Sequence, residues 1–216
     1  MVSGNDALSA VYESIAFVGD ALAPLFLEDP EKGAAGPSFE AFSRIDPAGA
    51  ASEWPLGDCG AVKRGFEQMV SGLSAGVTDG LVWEYRRLFV GPGHKDVAPW
   101  GSVYTDYDGV IFGESTLELR AWMRAHGVAR LAGEGDPDDH IGLMLALMAW
   151  LARNKPELLG EYLQDHFLTW APHYLRKLEE EARHPFYRGL SLLTRTSLEG
   201  AGSMLEIQPA SRRLYR

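Results

Sequence analysis

Asp136-Pro137-Asp138-Asp139-His140 stands directly before the uncharged apolar run Ile141 to Ala152, and these two stretches decide the fold. An Asp at a helix N-cap accepts hydrogen bonds from free backbone N–H groups, and Pro fits the first helical position. Acidic residues in the first turn also oppose the helix dipole. We therefore predict a helix that is capped by Asp136, runs to Asn154 and, being apolar around most of its surface, is buried.

Helical patterns continue on both sides of this central helix. The other predicted helices have apolar residues at three- and four-residue spacing or a Pro at the first position; they cover residues 8–25, 39–45, 59–73, 80–90, 114–126, 156–167, 172–183 and 185–198. Pro24 is expected to end or kink the first of them. The stretch Asp46 to Pro55 is rich in Pro, Ala, Gly and Ser and is predicted to be a connection. The predicted fold class is all-α.

Residues 91–113 interrupt the helical pattern. Gly91-Pro92-Gly93 breaks a helix, and Val103-Tyr104 and Val110-Ile111-Phe112 look like two short strands around an Asp-Gly turn. A lone hairpin of this size is barely stable. We therefore predict a long ordered loop with a hairpin-like bend, and loops of this length are often functional.

Composition restricts the function classes. Thirty acidic residues against 20 Lys and Arg give a formal charge of −10, which disfavours nucleic acid and anionic membranes and favours cationic partners. The single cysteine, Cys59, allows no intrachain disulfide and no thiolate zinc cluster. The first basic residue is Lys32, and the longest uncharged apolar run has 12 residues, so we expect neither a secretory signal nor a spanning helix, and a cytoplasmic location.

The acid-histidine run at 136–140 has three interpretations. It is a helix cap, or a metal site completed by His166, His173 or His184, or a recognition site where a carboxylate meets a guanidinium. No metal-binding or nucleotide-binding motif with the usual spacing occurs in the sequence. We therefore predict no cofactor and no metal, and a metal- or nucleotide-dependent hydrolase remains the alternative of a different class.

Several segments together resemble one known family. They are Tyr85-Arg86-Arg87-Leu88-Phe89-Val90-Gly91-Pro92, Ala98-Pro99-Trp100-Gly101-Ser102-Val103-Tyr104, Phe112-Gly113-Glu114-Ser115-Thr116-Leu117, Asp136 to His140 and His184-Pro185-Phe186-Tyr187-Arg188. The family is that of the twin-arginine proofreading chaperones typified by TorD, DmsD and NarJ, and the DmsD branch is the most similar. Its signature, normally Glu-Pro-x-Asp-His, has Asp136 in place of the Glu.

The resemblance implies an all-helical fold of two subdomains, residues 1–132 with the loop 91–113 and residues 133–216. It implies a cytoplasmic chaperone without catalytic activity that binds the twin-arginine signal peptide of a molybdopterin oxidoreductase precursor until the cofactor is loaded. The translocase is a further implied partner, and the chain is expected to be a monomer or a subdomain-exchanged dimer. An assembly subunit retained on the mature enzyme is the other alternative. The implied peptide-binding residues are Tyr85, Leu88, Phe89, Pro99, Trp100, Tyr104, Asp136, Asp139 and His140.

One further segment has a pattern of its own. Ser211-Arg212-Arg213-Leu214-Tyr215-Arg216 resembles the Ser-Arg-Arg-x-Phe core of a twin-arginine export signal, but no apolar stretch follows it in the sequence. The simplest interpretation is a solvated basic segment that matches by chance. The other hypothesis is that it visits the peptide groove as a pseudo-ligand.

Overall fold

Helices form the regular structure of the chain. The structure, a computed structural model, describes residues 4–32, 34–90, 95–130 and 137–216, and within these ranges it contains no strand. The all-α prediction is confirmed. The helices are α1 Gly4–Leu27, α2 Ala35–Ser43, α3 Pro47–Glu53, α4 Cys59–Gly72, α5 Asp79–Phe89, α6 Ser102–Thr105, α7 Glu114–Ala125, α8 Ile141–Asn154, α9 Pro156–Glu161 with a π-helical continuation Tyr162–Phe167, α10 Ala171–Glu181 and α11 Pro185–Met204.

The core forms around α8, which packs along α1, and around α11, which packs along α4 and α10. Ile141, Leu145, Met148 and Leu151 of α8 are fully buried, so the prediction of a buried central helix is confirmed. The α1 and α8 backbones approach closely at Gly19, where an added Cβ would lie 2.6 Å from the Leu145 carbonyl oxygen. Helices from both predicted subdomains share this core, and the proposed division after residue 132 stays a prediction.

Helix α1 is also long and apolar enough, over Asp6–Leu27, to cross a membrane by length and composition. A core helix of a globular domain passes the same test. The apolar face of α1, including Ile15, Leu22 and Phe26, is buried in the protein core. Pro24 lies inside this helix, which does not end there but continues to Leu27.

Two predictions for connecting segments were wrong. The stretch Asp46 to Pro55 contains α3, because the Asp46 carboxylate accepts a hydrogen bond from the Gly49 N–H at 2.8 Å and Pro47 occupies the first helical position. The hairpin strands are absent from the described loop residues. Val103 and Tyr104 belong to α6 instead, where both side chains are buried. Short apolar runs do not distinguish strand from helix by periodicity alone.

Candidate functional site

The start of α8 differs from the prediction. The helix begins at Ile141, and its N-cap is His140, whose Nδ1 accepts a hydrogen bond from the Gly142 N–H at 3.1 Å. Asp138 and Asp139 therefore lie in a turn before the helix, and not in its first turn. Asp136, the predicted cap, lies outside the described residues.

The turn before α8 is paired with the segment that leads into α6. The Gly101 N–H donates to the Asp139 carbonyl oxygen at 3.1 Å, and the Ile141 N–H donates to the Pro99 carbonyl oxygen at 2.9 Å. These two bonds form an isolated antiparallel bridge between Trp100 and His140. The family signature and the Pro99–Ser102 segment are thus joined through their backbones.

Asp139 is the side-chain anchor of this junction. Its Oδ2 accepts a hydrogen bond from the Ser102 N–H at 2.7 Å, which satisfies the first amide of α6, and the residue is only 3% exposed. Burial raises the pKa of the Asp139 carboxyl, while the Ser102 amide and the nearby Ser102 and Thr116 hydroxyls oppose that rise. Asp139 Oδ1 and the two hydroxyl oxygens complete no hydrogen bond of ordinary geometry within the described residues. The carboxylate therefore faces a polar interior and not solvent.

His140 lies in an apolar and aromatic setting. Its ring centroid is 6.1 Å from that of Trp100 and 6.5 Å from that of Phe89. Burial lowers the pKa of the His140 imidazole to about 3. The ring is therefore neutral at neutral pH, as its role as hydrogen-bond acceptor at the helix start requires.

Asp138 ties the signature to the neighbouring loop. Its carboxylate is buried and accepts hydrogen bonds from the guanidinium groups of Arg120 and Arg130. The Arg120 guanidinium also lies 5.2 Å from the ring centroid of Phe112, a cation–π contact. One carboxylate thus joins α7 and the segment after it to the turn before α8, whereas the sequence placed Asp138 in the first turn of α8, opposing the helix dipole.

The predicted aromatic and apolar site residues fall into two buried clusters. Tyr85 and Phe89 of α5 pack against each other and against Tyr187 of α11. Tyr104 stacks on Trp170, with centroids 6.2 Å apart and an interplanar angle of 10°. The members that are buried are Tyr85, Leu88, Phe89, Pro99, Tyr104, Asp139 and His140. Most of the predicted site residues are therefore buried inside the protein.

Trp100 differs from the other described members of the predicted site, which are buried. It is half-buried and lines a cavity of about 230 Å³ together with Val103, Ile111 and Arg216. This cavity opens on the side of the molecule that carries the loop between α6 and α7.

That loop presents an apolar surface that sequence analysis missed. We call this surface the loop patch; it consists of Tyr107, Val110, Ile111, Phe112 and Leu117, all exposed. Tyr107 is 83% exposed. Contiguous exposed apolar patches mark interaction sites on proteins. The run Tyr107-Asp108-Gly109-Val110-Ile111-Phe112 contained the signal, but its last three residues looked like a short strand after a turn.

The backbone of the loop patch is held in an unusual conformation. Phe112 has φ of 63° and Gly109 has φ of 57°, and a positive φ is rare for a bulky residue. The Asp106 carboxylate accepts a hydrogen bond from the Ser115 N–H at 3.2 Å, which fixes the start of the loop, just after α6, to the start of α7. The N-cap of α7 is Gly113, which supplies no side-chain hydrogen bond.

Acidic side chains flank the loop patch in sequence, and the Arg120 guanidinium lies over Phe112 and that of Arg216 beside Gly109. Asp108, Glu114 and Glu118 are all exposed next to its apolar members. A surface that combines large apolar side chains with carboxylates suits a ligand that has both apolar and cationic parts.

A second concavity on the molecule has the opposite character. It has a volume of about 650 Å³ and is lined by Trp83, Arg86, Arg87 and Arg183, among others. Trp83 is 71% exposed. Arg86 pairs with Asp29 and Glu31, and Arg87 pairs with the buried Glu84, so this groove offers no unpaired carboxylate among its described lining residues.

Metal-binding side chains do not converge in the described ranges. No group of three or more His, Cys, Asp or Glu residues there has an arrangement that could hold a metal ion.

Comparison with known proteins gives the class. The family described as "Nitrate reductase delta subunit" matches residues 57–176. A relative in Haemophilus influenzae, named "Probable Tat proofreading chaperone DmsD", is 42% identical over 144 residues, covering 67% of this chain and 71% of the relative. The "Tat proofreading chaperone DmsD" of Salmonella typhi is 33% identical over 205 residues, covering 94% and 97%. "Chaperone protein TorD" of Vibrio vulnificus is 25% identical over 119 residues, covering 50% and 55%.

The protein is therefore one of the redox-enzyme maturation chaperones, and its relatives are named chaperones and not catalysts. The chain belongs to the TorD/DmsD/NarJ family, in the DmsD branch. The family resemblance, the chaperone class and the prediction that the chain is not an enzyme are confirmed.

Proposed function

We propose that the chain binds the twin-arginine signal peptide of a molybdopterin oxidoreductase precursor in the cytoplasm and holds the precursor back until its cofactor is loaded. The relatives named Tat proofreading chaperones support the ligand class. The loop patch with its acidic border is the observation that carries the proposal, because a twin-arginine signal has paired arginines followed by an apolar segment.

The two parts of the peptide fit the two parts of this surface. An apolar segment gains binding free energy by covering Val110, Ile111 and Phe112, which are exposed. Arginines gain from nearby carboxylates through charge-assisted hydrogen bonds. The groove beside Trp83 is a poorer fit, since the carboxylate that lines it, Glu84, is buried and already paired with Arg87.

The residues predicted from the sequence have two proposed roles. Trp100 is proposed to contact the peptide, because its ring is half-buried beside the loop patch. The buried members are proposed to hold the surface in place; they are Tyr85, Leu88, Phe89, Pro99, Tyr104, Asp139 and His140. The translocase as a second partner, and a subdomain-exchanged dimer, stay predictions.

A matched pair of valine substitutions tests the proposal. Val110 in the loop patch is 51% exposed and Val77, in the turn before α5, is 43% exposed. Val110→Asp replaces an apolar contact with a charge that the peptide segment must desolvate, so we expect signal-peptide affinity to fall about tenfold or more. Val77→Asp is expected to bind like wild type. Both should melt within a few degrees of wild type, because neither side chain is in the core.

Calorimetric titration with a synthetic signal peptide measures this. Equal affinity of the Val110→Asp variant and wild type would contradict the assignment of the surface. Co-purification distinguishes a chaperone from an assembly subunit that is retained on the mature enzyme. The chaperone should be captured with the precursor and not with the same enzyme lacking its signal peptide.

A further inference from the structure

Residues 211–216 lie against the surface just described. The Tyr215 N–H donates to the Tyr104 carbonyl oxygen at 2.9 Å, and the Tyr215 ring meets the Tyr107 ring edge-on with centroids 5.7 Å apart. Leu214 is half-buried against the hydrophobic core. The segment therefore packs in part on α6 and the adjoining loop, while Ser211, Arg213, Tyr215 and Arg216 stay exposed.

The first arginine of the segment lies among carboxylates. An Arg212 guanidinium nitrogen is 2.6 Å from Glu118 Oε2, and the Glu118 side chain is 45% exposed. The same charges act on the pKa of His166, which is lowered. Burial is the main cause, Arg212 lowers the pKa further, and Asp165, Glu118 and Glu161 oppose the change. An arginine and three acids thus lie around one histidine.

The last residue of the segment is held as well. The Arg216 guanidinium lies over Gly109, where an added Cβ would be 2.9 Å from its Nε. His173 Nε2 lies 2.7 Å from the Arg216 carbonyl oxygen. Contacts therefore extend along the segment from Arg212 to Arg216.

We propose that residues 211–216 occupy the position where the Ser-Arg-Arg core of the signal peptide binds, so that the segment is an internal competitor. This inference rests on the proposed function and names the subsite within it: Glu118 receives the first arginine, and Tyr107 with the Tyr104 backbone receives the aromatic position. The order Ser211-Arg212-Arg213-Leu214-Tyr215 matches the ligand, with Tyr in place of Phe. A peptide placed in this way reaches Tyr107, so its following apolar segment meets the loop patch.

Competition predicts that weakening the internal segment strengthens peptide binding, because only the fraction with an open site binds. Arg212→Ala removes one exposed ion pair, so peptide affinity should rise by up to about fivefold. Arg44→Ala is the matched control, since Arg44 forms an exposed ion pair with Glu40 on α2 at 2.5 Å. The control should leave peptide affinity unchanged.

An exchange of charges tests the shared carboxylate. The double variant Glu118→Arg with Arg212→Glu keeps an internal ion pair but presents a cation to the peptide. Its affinity for the twin-arginine peptide should fall at least about tenfold, as expected for an ion pair turned into a like-charge contact. A peptide with Glu at the first arginine position should bind this variant more tightly than it binds wild type. Thermal melting of each variant verifies that the fold is kept.

The outcomes separate the two proposals. If wild type binds the peptide, and both Arg212→Ala and the charge-exchanged variant bind it equally well, the internal competitor and the Glu118 subsite are overturned while the proposed function stands. If neither wild type nor any variant binds a twin-arginine peptide, the proposed function itself is overturned, and this inference with it.

Discussion

Asp139→Asn distinguishes a supporting carboxylate from one that touches the peptide. Asn has the same shape and keeps an oxygen that accepts the Ser102 N–H, which now lies 2.7 Å from Asp139 Oδ2. A hydrogen bond to a charged acceptor contributes about 1.5–3 kcal/mol and one to a neutral acceptor about 0.5–1.5 kcal/mol, so this change alone costs about 1 kcal/mol. The loss is offset because a neutral amide avoids the burial penalty that raises the pKa of Asp139.

We therefore expect the free energy of unfolding of Asp139→Asn to stay within about 1 kcal/mol of wild type, which is about 2–4 °C in melting temperature for a chain of this size. Asp139→Leu is the contrasting variant. It leaves the buried Ser102 amide without its acceptor. A buried polar group so deprived costs about 1–3 kcal/mol, so melting should fall further than for Asp139→Asn.

The pH profile of Asp139→Asn supplies a second readout. The folded pKa is raised above the ordinary value of 3.8, so the folded protein keeps a proton that the unfolded chain loses first. Wild-type stability therefore declines as pH rises from 3.8 through the folded pKa. The Asn variant has no such group and should lack this part of the decline, as urea unfolding at several pH values would show.

Peptide affinity shows whether the Asp139 carboxylate touches the peptide or only supports the fold. Because Asp139 is 3% exposed, we expect Asp139→Asn to bind the signal peptide within about threefold of wild type. The sequence alone predicts direct contact with a peptide arginine and a loss of about tenfold. A tenfold loss at unchanged melting temperature would refute the supporting role derived from the structure.

Two further predictions concern the buried His140 and the exposed Glu118. Burial lowers the pKa of His140 from 6.5 to about 3, so the unfolded chain takes up a proton first on acidification and stability falls as pH drops through this window. His140→Asn keeps an N-cap acceptor without the titration and should show a flatter profile in urea unfolding; a profile as steep as that of wild type would contradict it. Peptide affinity should fall several-fold between low and high salt because Glu118 is exposed, and Glu118→Gln should weaken that dependence. Titrations that show no salt dependence would contradict a charged contact at Glu118 and leave apolar contacts as the source of peptide affinity.

The sequence predicted helices where periodicity was long and continuous. Helix α4 spans Cys59–Gly72 against a predicted 59–73, and α8 ends at Asn154 as expected. The predicted helix boundaries were wrong where a single side chain determines the first residue of the helix. His140 caps α8 through its Nδ1, a role that sequence rules assign first to Asp, Asn, Ser and Thr.

Most of the site residues predicted from the sequence are buried, although they were expected to line a groove. Phe89 and Tyr104 are large side chains at positions where the sequence permits either core or groove, and tertiary packing against Tyr187 and Trp170 buries both. The loop patch went unrecognised because no local pattern shows the positive φ of Phe112 or the contact of its ring with the Arg120 guanidinium.

Photo-crosslinking from the apolar segment of a signal peptide to the full chain tests the central claim most directly. With the crosslinker placed a few residues after the paired arginines, peptide mapping by mass spectrometry should find adducts between Tyr107 and Glu118. Excess unlabelled peptide should abolish them. Adducts concentrated instead around Trp83, in the groove between α5 and the start of α11, would contradict the assignment of the loop patch as the binding surface.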